Sequence, residues 1–182
     1  RVLEVREAGE GHKSLIRFIE PADVRGTTLL SYEHVGRPDD QWLYLPSFKK
    51  TKRISSENKS GSFQGSEFSY EDMASFTIEK YKYKYVKDEA LGGASHFVVE
   101  RTPLDPNSGY TRVVAWVHQE TYQVTKSDFY DRKNTLLKTG TYTGYTQHQN
   151  KYWRPGKIEM ANAQNGKKTI LEFTAWKLSN GF

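Results

Sequence analysis

Five histidines and no cysteine bound the chemistry that this chain can perform. Zinc needs three or four converging ligands. His12, His34, His96, His118 and His148 show neither H-x-H nor H-E-x-x-H spacing, so each reads as a surface or strand-edge residue. The lack of cysteine removes disulfides, thiolate metal sites, cysteine nucleophiles and an acylated N-terminal cysteine from the residues given. Asp39-Asp40 and Glu71-Asp72 are the candidates for acid–base work. The first pair lies in RPDDQ, where aspartate builds turns, and the second opens a predicted helix, where negative charge suits the backbone dipole. The glycines of SGSFQGS lack the G-K-[ST] ending of a phosphate loop, and no G-x-S-x-G elbow occurs. No catalytic constellation, metal set or cofactor motif follows from these residues, and the expectation is a protein that is not an enzyme.

The elements that would position any site are mainly strands. Aromatic residues make 14% of the chain, and alternating segments recur throughout: VLEVRE, SLIRFIEP, TTLLSYEH, QWLYLP, EKYKYKYV, SHFVVERT, YTRVVAWVHQ, TYQVTKSDFYD, TLLKTGTYTGY, GKIEMANA and KTILEFTAWKL. Turn material such as VGRPDDQ, PLDPNSGY, DRKN and AQNGKK separates them. Short strands at this spacing predict an antiparallel meander that curls into a barrel or half-barrel, with residues 1–182 as a single domain. Helix signals are few. SYEDMASF offers Ser69 as an N-cap with Asp72 three residues on, and PADVRG offers a short turn between Pro21 and Gly26. No apolar run reaches the length of a membrane span. The chain opens at Arg1, almost at its first strand and without an initiator methionine, which predicts a processed or trimmed N-terminus with upstream residues, a signal peptide among them, removed or outside the residues given.

In EKYKYKYV, alternation places Tyr81, Tyr83 and Tyr85 on one face and Lys80, Lys82 and Lys84 on the other. A single-strand nucleic-acid binder would hold aromatics and lysines together on the wet side. Their separation therefore argues for tyrosines toward a core or cavity, and a net charge of only +5 adds little to a nucleic-acid reading. So many strands with one apolar face need a cover, and the predicted helices supply little of it. The stretch from Lys52 to Met73, KRISSENKSGSFQGSEFSYEDM, fits neither strand nor helix periodicity. A long irregular segment of this kind is a functional loop, a mobile linker or a misread element.

The runs FIEPADVRGTTLLSYEH and QWLYLPSFKKTKRISSENKSGSFQGSEFSYEDM, with the later VAWVHQETYQVTKSDFYDRKNTLLKT, resemble the bacterial outer-membrane lipoprotein-sorting family, the LolA-like proteins of the periplasm. The resemblance covers the chain from about Ser14 to Lys177. It implies a half-open antiparallel β-barrel with a helical or loop lid, whose concave apolar face receives lipoprotein acyl chains or another lipid. The residues expected on that face or its lid are Leu29, Trp42, Tyr44, Phe63, Phe68, Met73, Tyr83, Phe97, Val99, Val113 and Trp116. Lys49, Lys50, Lys52 and Arg53 form the densest basic cluster and are expected to meet anionic headgroups or an acidic partner. The implied partner is an inner-membrane transporter or an outer-membrane acceptor. The rival readings are an accessory or scaffold that binds protein rather than lipid, and, more remotely, a single-stranded nucleic-acid binder.

Overall fold

The structure is a computed structural model and describes residues 2–6, 11–34, 36–74 and 76–178. Its chain divides into two compact units, one made of residues 1–63, 69–81 and 104–109, the other of 64–68, 82–103 and 110–182.

In the first unit, β1 (Val2–Arg6), β2 (His12–Arg17), β3 (Thr28–Tyr32), β4 (Asp40–Leu45) and β5 (Lys50–Ile54) form an antiparallel sheet in chain order. Register pairs Ile16 with Leu29, Leu29 with Leu43, and Gln41 with both Ser31 and Ile54. Directly paired residues share a face, so Ile16, Leu29, Leu43 and Ile54 gather on one side. Phe18, Phe63, Tyr70 and Met73 pack onto that side, and Leu29 is fully buried.

The second unit holds a seven-stranded antiparallel sheet. Its strands are β6 (Tyr81–Leu91), β7 (Ala94–Pro103), β8 (Arg112–His118), β9 (Val124–Tyr130), β10 (Leu136–Thr143), β13 (Lys157–Asn162) and β14 (Lys168–Glu172), with β14 and β6 at its edges. A small hairpin, β11 (Thr146–His148) with β12 (Tyr152–Arg154), stands between β10 and β13. Gly92 and Gly93, at φ of +60° and +85°, make the two-residue turn from β6 to β7 that a twisted hairpin favours. Val113, Ala115, Ser127, Phe129, Lys138 and Met160 share one buried face, and the opposite face carries Glu100, Arg112, Trp116, Lys126 and Asp128.

All eleven candidate strands overlap a strand of the structure, and the chain is mostly antiparallel β in sheets that are not closed into a barrel. Among the described residues of SYEDMASF, 69–74 and 76, no helix is formed. Ser69 and Asp72 make the reciprocal bonds of a capping box, Ser69 N to Asp72 Oδ2 at 2.7 Å and Asp72 N to Ser69 Oγ at 3.2 Å. The amides of Asp72, Met73 and Ala74 also donate to carbonyls three residues back, at 3.1–3.3 Å. A single turn follows, because nucleating a helix is costly and no apolar stripe extends this one. PADVRG is likewise a turn, with Val24 N to Pro21 O at 3.3 Å.

Strand β6 overturns the reading of EKYKYKYV. It is an edge strand, and Tyr83, Tyr85 and Val86 are exposed along with Lys82 and Lys84. Glu89 accepts from Trp116 Nε1 at 3.1 Å, which puts the odd-numbered residues of β6, Tyr83 and Tyr85 among them, on the polar side of the sheet.

Candidate functional site

The irregular stretch starts as β5 and becomes an ordered cross-connection. A bridge joins Ser62 to Ser69, Tyr70 N donates to Gly61 O at 3.1 Å and Glu71 N to Lys59 O at 2.8 Å. Gln64 and Gly65, both at positive φ, turn the chain between them. Phe63, only 5% exposed, sits in the first unit's core with its ring 5.7 Å from Phe18 and 5.5 Å from Tyr70. Phe68, 4% exposed, belongs to the second unit. Its neighbour Glu67 is fixed there three times over: its amide donates to Thr169 Oγ1 at 3.0 Å, its carbonyl accepts from Lys138 Nζ at 2.8 Å, and its carboxylate accepts from Asn162 Nδ2 at 2.7 Å. Lys138, Asn162 and Thr169 stand on the apolar face of their sheet, so residues 64–68 lie over that face.

A polar cluster secures the other end of the segment in the first unit. Glu71 accepts from Ser108 Oγ and from Gly109 N at 2.9 Å, and Lys59 Nζ lies 3.8 Å from Glu71 and 2.6 Å from Asp105. Gly109 is required here, since a Cβ would stand 2.6 Å from that of Ser60. Burial pushes the Glu71 carboxyl above its ordinary value, against the pull of Ser108, Lys59 and Gly109. Burial works in the same sense on Asp105, but Lys59 and the Asn107 amide outweigh it and hold that carboxyl below its ordinary value.

The residues expected at a concave face divide into two groups. Leu29, Phe63 and Met73 are together in the first unit, and Val113, Phe97, Val99 and Phe68 lie on or over the apolar face of the second. Trp42, Tyr44, Tyr83 and Trp116 do not join them. Trp42 and Tyr44 alternate with Leu43 and lie on the reverse of the first sheet, Trp42 edge-on to Tyr32 at 5.7 Å. Trp116 alternates with Ala115 and Val117 and carries Lys126 Nζ 4.0 Å above its ring. The physical reason is that a large amphipathic ring can cover the outer side of a sheet and keep its polar atom within reach of a partner, as Trp116 Nε1 does with Glu89 at 3.1 Å. The inward positions of β4 are instead Gln41, Leu43 and Leu45.

Beyond the covered patch, the apolar face of the second sheet continues into half-buried side chains. Phe97 pairs with Val117, Val99 with Ala115, and Ile158 with both Tyr142 and Leu171. Val117, Ile158 and Leu171 were not singled out from the sequence. The alternation of KIEMAN and KTILE carried the signal, with Ile158, Met160 and Leu171 falling on one parity once the strands pair.

Among the basic residues, Lys49, Lys50, Lys52 and Arg53 are all exposed, at or in edge strand β5. Arg53 hydrogen-bonds Asp40, which His34 and Arg37 also contact at 3.0 and 3.3 Å. Arg53, then His34, hold the Asp40 carboxyl below its ordinary value. His96 corrects the surface reading of the histidines: sharing parity with Val98, it is 2% exposed, with Nδ1 2.9 Å from Ala94 O and its ring 5.3 Å from that of His118. Among the described residues, no three or more His, Cys, Asp or Glu side chains are grouped to hold a metal, and no helix is long and apolar enough to cross a membrane.

A family model described as "Uncharacterized protein" matches residues 10–182. Comparison with curated proteins finds no match. Among solved structures, an outer membrane lipoprotein-sorting protein domain from Vibrio parahaemolyticus is 46% identical, covers 97% of this chain and 78% of its own, and superposes with a TM-score of 0.90. A DUF1329 family protein from Desulfovibrio piger is 29% identical over 94% of this chain and 72% of its own, with a TM-score of 0.88. A LolA superfamily protein from Nitrosomonas europaea is 27% identical over 90% of this chain and 70% of its own, with a TM-score of 0.73. With an ordered segment lying over one apolar sheet face and near-half identity to the sorting domain along almost its whole length, this chain belongs to the LolA-like family of outer-membrane lipoprotein-sorting proteins.

Proposed function

We propose that the protein is a periplasmic carrier that binds acyl chains of lipoproteins, or of another lipid, and moves them between envelope membranes without catalysing a reaction. The observation that carries this reading is the 46% identity to a lipoprotein-sorting domain over 97% of the chain. The half-buried apolar strip of Phe97, Val99, Val117, Ile158 and Leu171 supports it as a surface for an acyl chain. The physical need is one of scale. Each buried methylene contributes roughly 0.8 kcal/mol, so a sixteen-carbon chain is held in a membrane by on the order of 10 kcal/mol and will not cross water unaided. A carrier must offer comparable apolar surface and still release its load.

The test is saturable 1:1 binding of a fluorescent fatty acid, followed in three proteins. Val99→Asp places a carboxylate on the apolar strip, where desolvating it is costly, and binding should fall at least tenfold. Tyr85→Ser, at a side chain 60% exposed on the opposite face, should bind as the parent does. No saturable binding by the parent would refute the carrier reading and leave the protein-binding accessory as the better account.

A further inference from the structure

We propose that one end of the first unit's sheet is a docking tip for anionic phospholipid headgroups. The two turns that leave this end are 18–27, between β2 and β3, and 46–49, between β4 and β5. Register sets them side by side: Arg17 pairs with Thr28, Thr28 with Tyr44, and Tyr44 with Thr51, in one row across the sheet. Gly26 and Pro46 are neighbours across the turns, since a Cβ added at Gly26 would lie 3.4 Å from Pro46 Cγ.

This end presents an unusual set of side chains. Phe48 is 70% exposed, Ile19 53% and Tyr44 39%. Arg17, Arg25, Lys49 and Lys50 are exposed around them, against the carboxylates of Glu20 and Asp23. A recess of ≈ 350 Å³ lies in the first turn, lined by Arg17, Phe18, Ile19, Glu20, Arg25 and Gly26. The turn's shape is held from inside, by Gly26 N to Phe18 O at 2.9 Å and Arg25 Nε to Ile19 O at 3.0 Å. Two apolar residues on neighbouring turn tips, a tyrosine one row behind and cations around them reproduce the layering of a lipid interface. Apolar tips enter the acyl boundary, the amphipathic ring sits at headgroup depth, and lysine and arginine meet phosphates. A lipid phosphate in the recess would stand near both guanidinium groups. An acidic peptide would satisfy the cations but leave Phe48 and Ile19 in water, so the lipid surface is the better complement.

This docking surface rests on the carrier reading only for the membrane it visits, and the two are tested separately. Vesicles of phosphatidylcholine with 30 mol% phosphatidylglycerol are the probe, with pure phosphatidylcholine vesicles as reference. The parent should co-sediment with the anionic vesicles and lose that binding at high salt. Each lysine near such a surface adds about a fivefold gain in partitioning, so Lys49→Glu with Lys50→Glu should weaken it roughly thirtyfold or more. Because the chain lacks cysteine, Phe48→Cys carrying an environment-sensitive dye reports the tip alone. Its emission should shift to the blue on anionic vesicles, whereas the same dye at Tyr122→Cys, 71% exposed in the second unit, should not shift. Equal partitioning to both vesicle types, or a dye at position 48 that stays in water, overturns the proposal. So does tip-dependent capture of poly-glutamate without vesicle binding. Fatty-acid binding without vesicle binding sinks the docking tip alone, and vesicle binding without fatty-acid binding sinks the carrier alone.

Discussion

Phe63 and Phe68 are five residues apart in sequence, and each is more than nine-tenths buried in a different unit. Truncating a buried phenylalanine removes its transfer free energy and leaves a cavity, so Phe63→Ala should destabilise the fold by about 3–5 kcal/mol in denaturant titration. Loss of less than about 1 kcal/mol would mean that the ring is not a core residue. Glu71 makes a prediction of opposite character. Its carboxyl is raised above the ordinary glutamate value by burial, so its neutral form is the one the fold favours. The stability this contributes is complete below about pH 4.5, the unfolded value, and is lost as pH rises through the raised folded value. Asp40 and Asp105 run the other way, since their lowered values add stability above 3.8 that disappears as acid protonates them. Glu71→Gln keeps an acceptor for Gly109 N and a donor for Ser108, so its melting temperature relative to the parent should be highest near pH 7.5 and drop toward parity near pH 4. A constant offset across that range would remove the buried carboxyl from the account. At this scale the sequence showed which rings were large but not where they pointed. Trp42 and Leu43 are neighbours, and alternation supplies two equally regular faces until the partner strand chooses between them.

At the scale of elements, what was readable depended on how strongly each segment was patterned. YTRVVAWVHQ and TTLLSYEH carry apolar residues on at least one face and became β8 and β3. Strand β5 went unread because Lys50, Thr51, Lys52 and Arg53 are all exposed and only Ile54 is buried. Such a strand is specified by its register with β4 rather than by its own side chains. Strand β6 shows the converse: a strict Tyr–Lys alternation with neither face buried, so the pattern announced a strand correctly and its environment wrongly. Tyr83→Thr should therefore change stability by less than about 0.5 kcal/mol, as surface changes do. A loss above 2 kcal/mol would show that this face of β6 is covered in solution. The Ser69–Asp72 pair was visible as a capping signal, and its two hydrogen bonds are present without the helix that the signal normally begins. Removing one of them in Asp72→Ala should cost about 1 kcal/mol, within the range known for caps, with no change in far-ultraviolet circular dichroism because there is no helix to lose. A clear fall in helical signal would show instead that residues 69–76 are helical in solution.

For the whole molecule, family membership was legible because long segments of sequence are shared with relatives, whereas the division of the chain was not. Stretches 1–63, 69–81 and 104–109 build one unit, and 64–68, 82–103 and 110–182 build the other. Neither is a continuous piece of chain, and no composition change marks passages as short as 64–68. This interleaving supports our proposal that residues 1–182 fold as a single domain. The segment that brings Phe63 into one core carries Phe68 into the other five residues later, and Glu71 binds Ser108 and Gly109 in a stretch that returns from the second unit to the first. Unfolding either unit would release segments needed by the other. Heating should therefore give one transition, with calorimetric and van't Hoff enthalpies equal, and an enthalpy of roughly 130 kcal/mol near 60 °C for a chain of this length. Far-ultraviolet circular dichroism and tryptophan fluorescence should report the same midpoint. In Phe63→Ala, a substitution confined to the first unit, both signals should move down together. Two resolved transitions, or a second-unit signal left in place when Phe63 is truncated, would show two domains that fold independently.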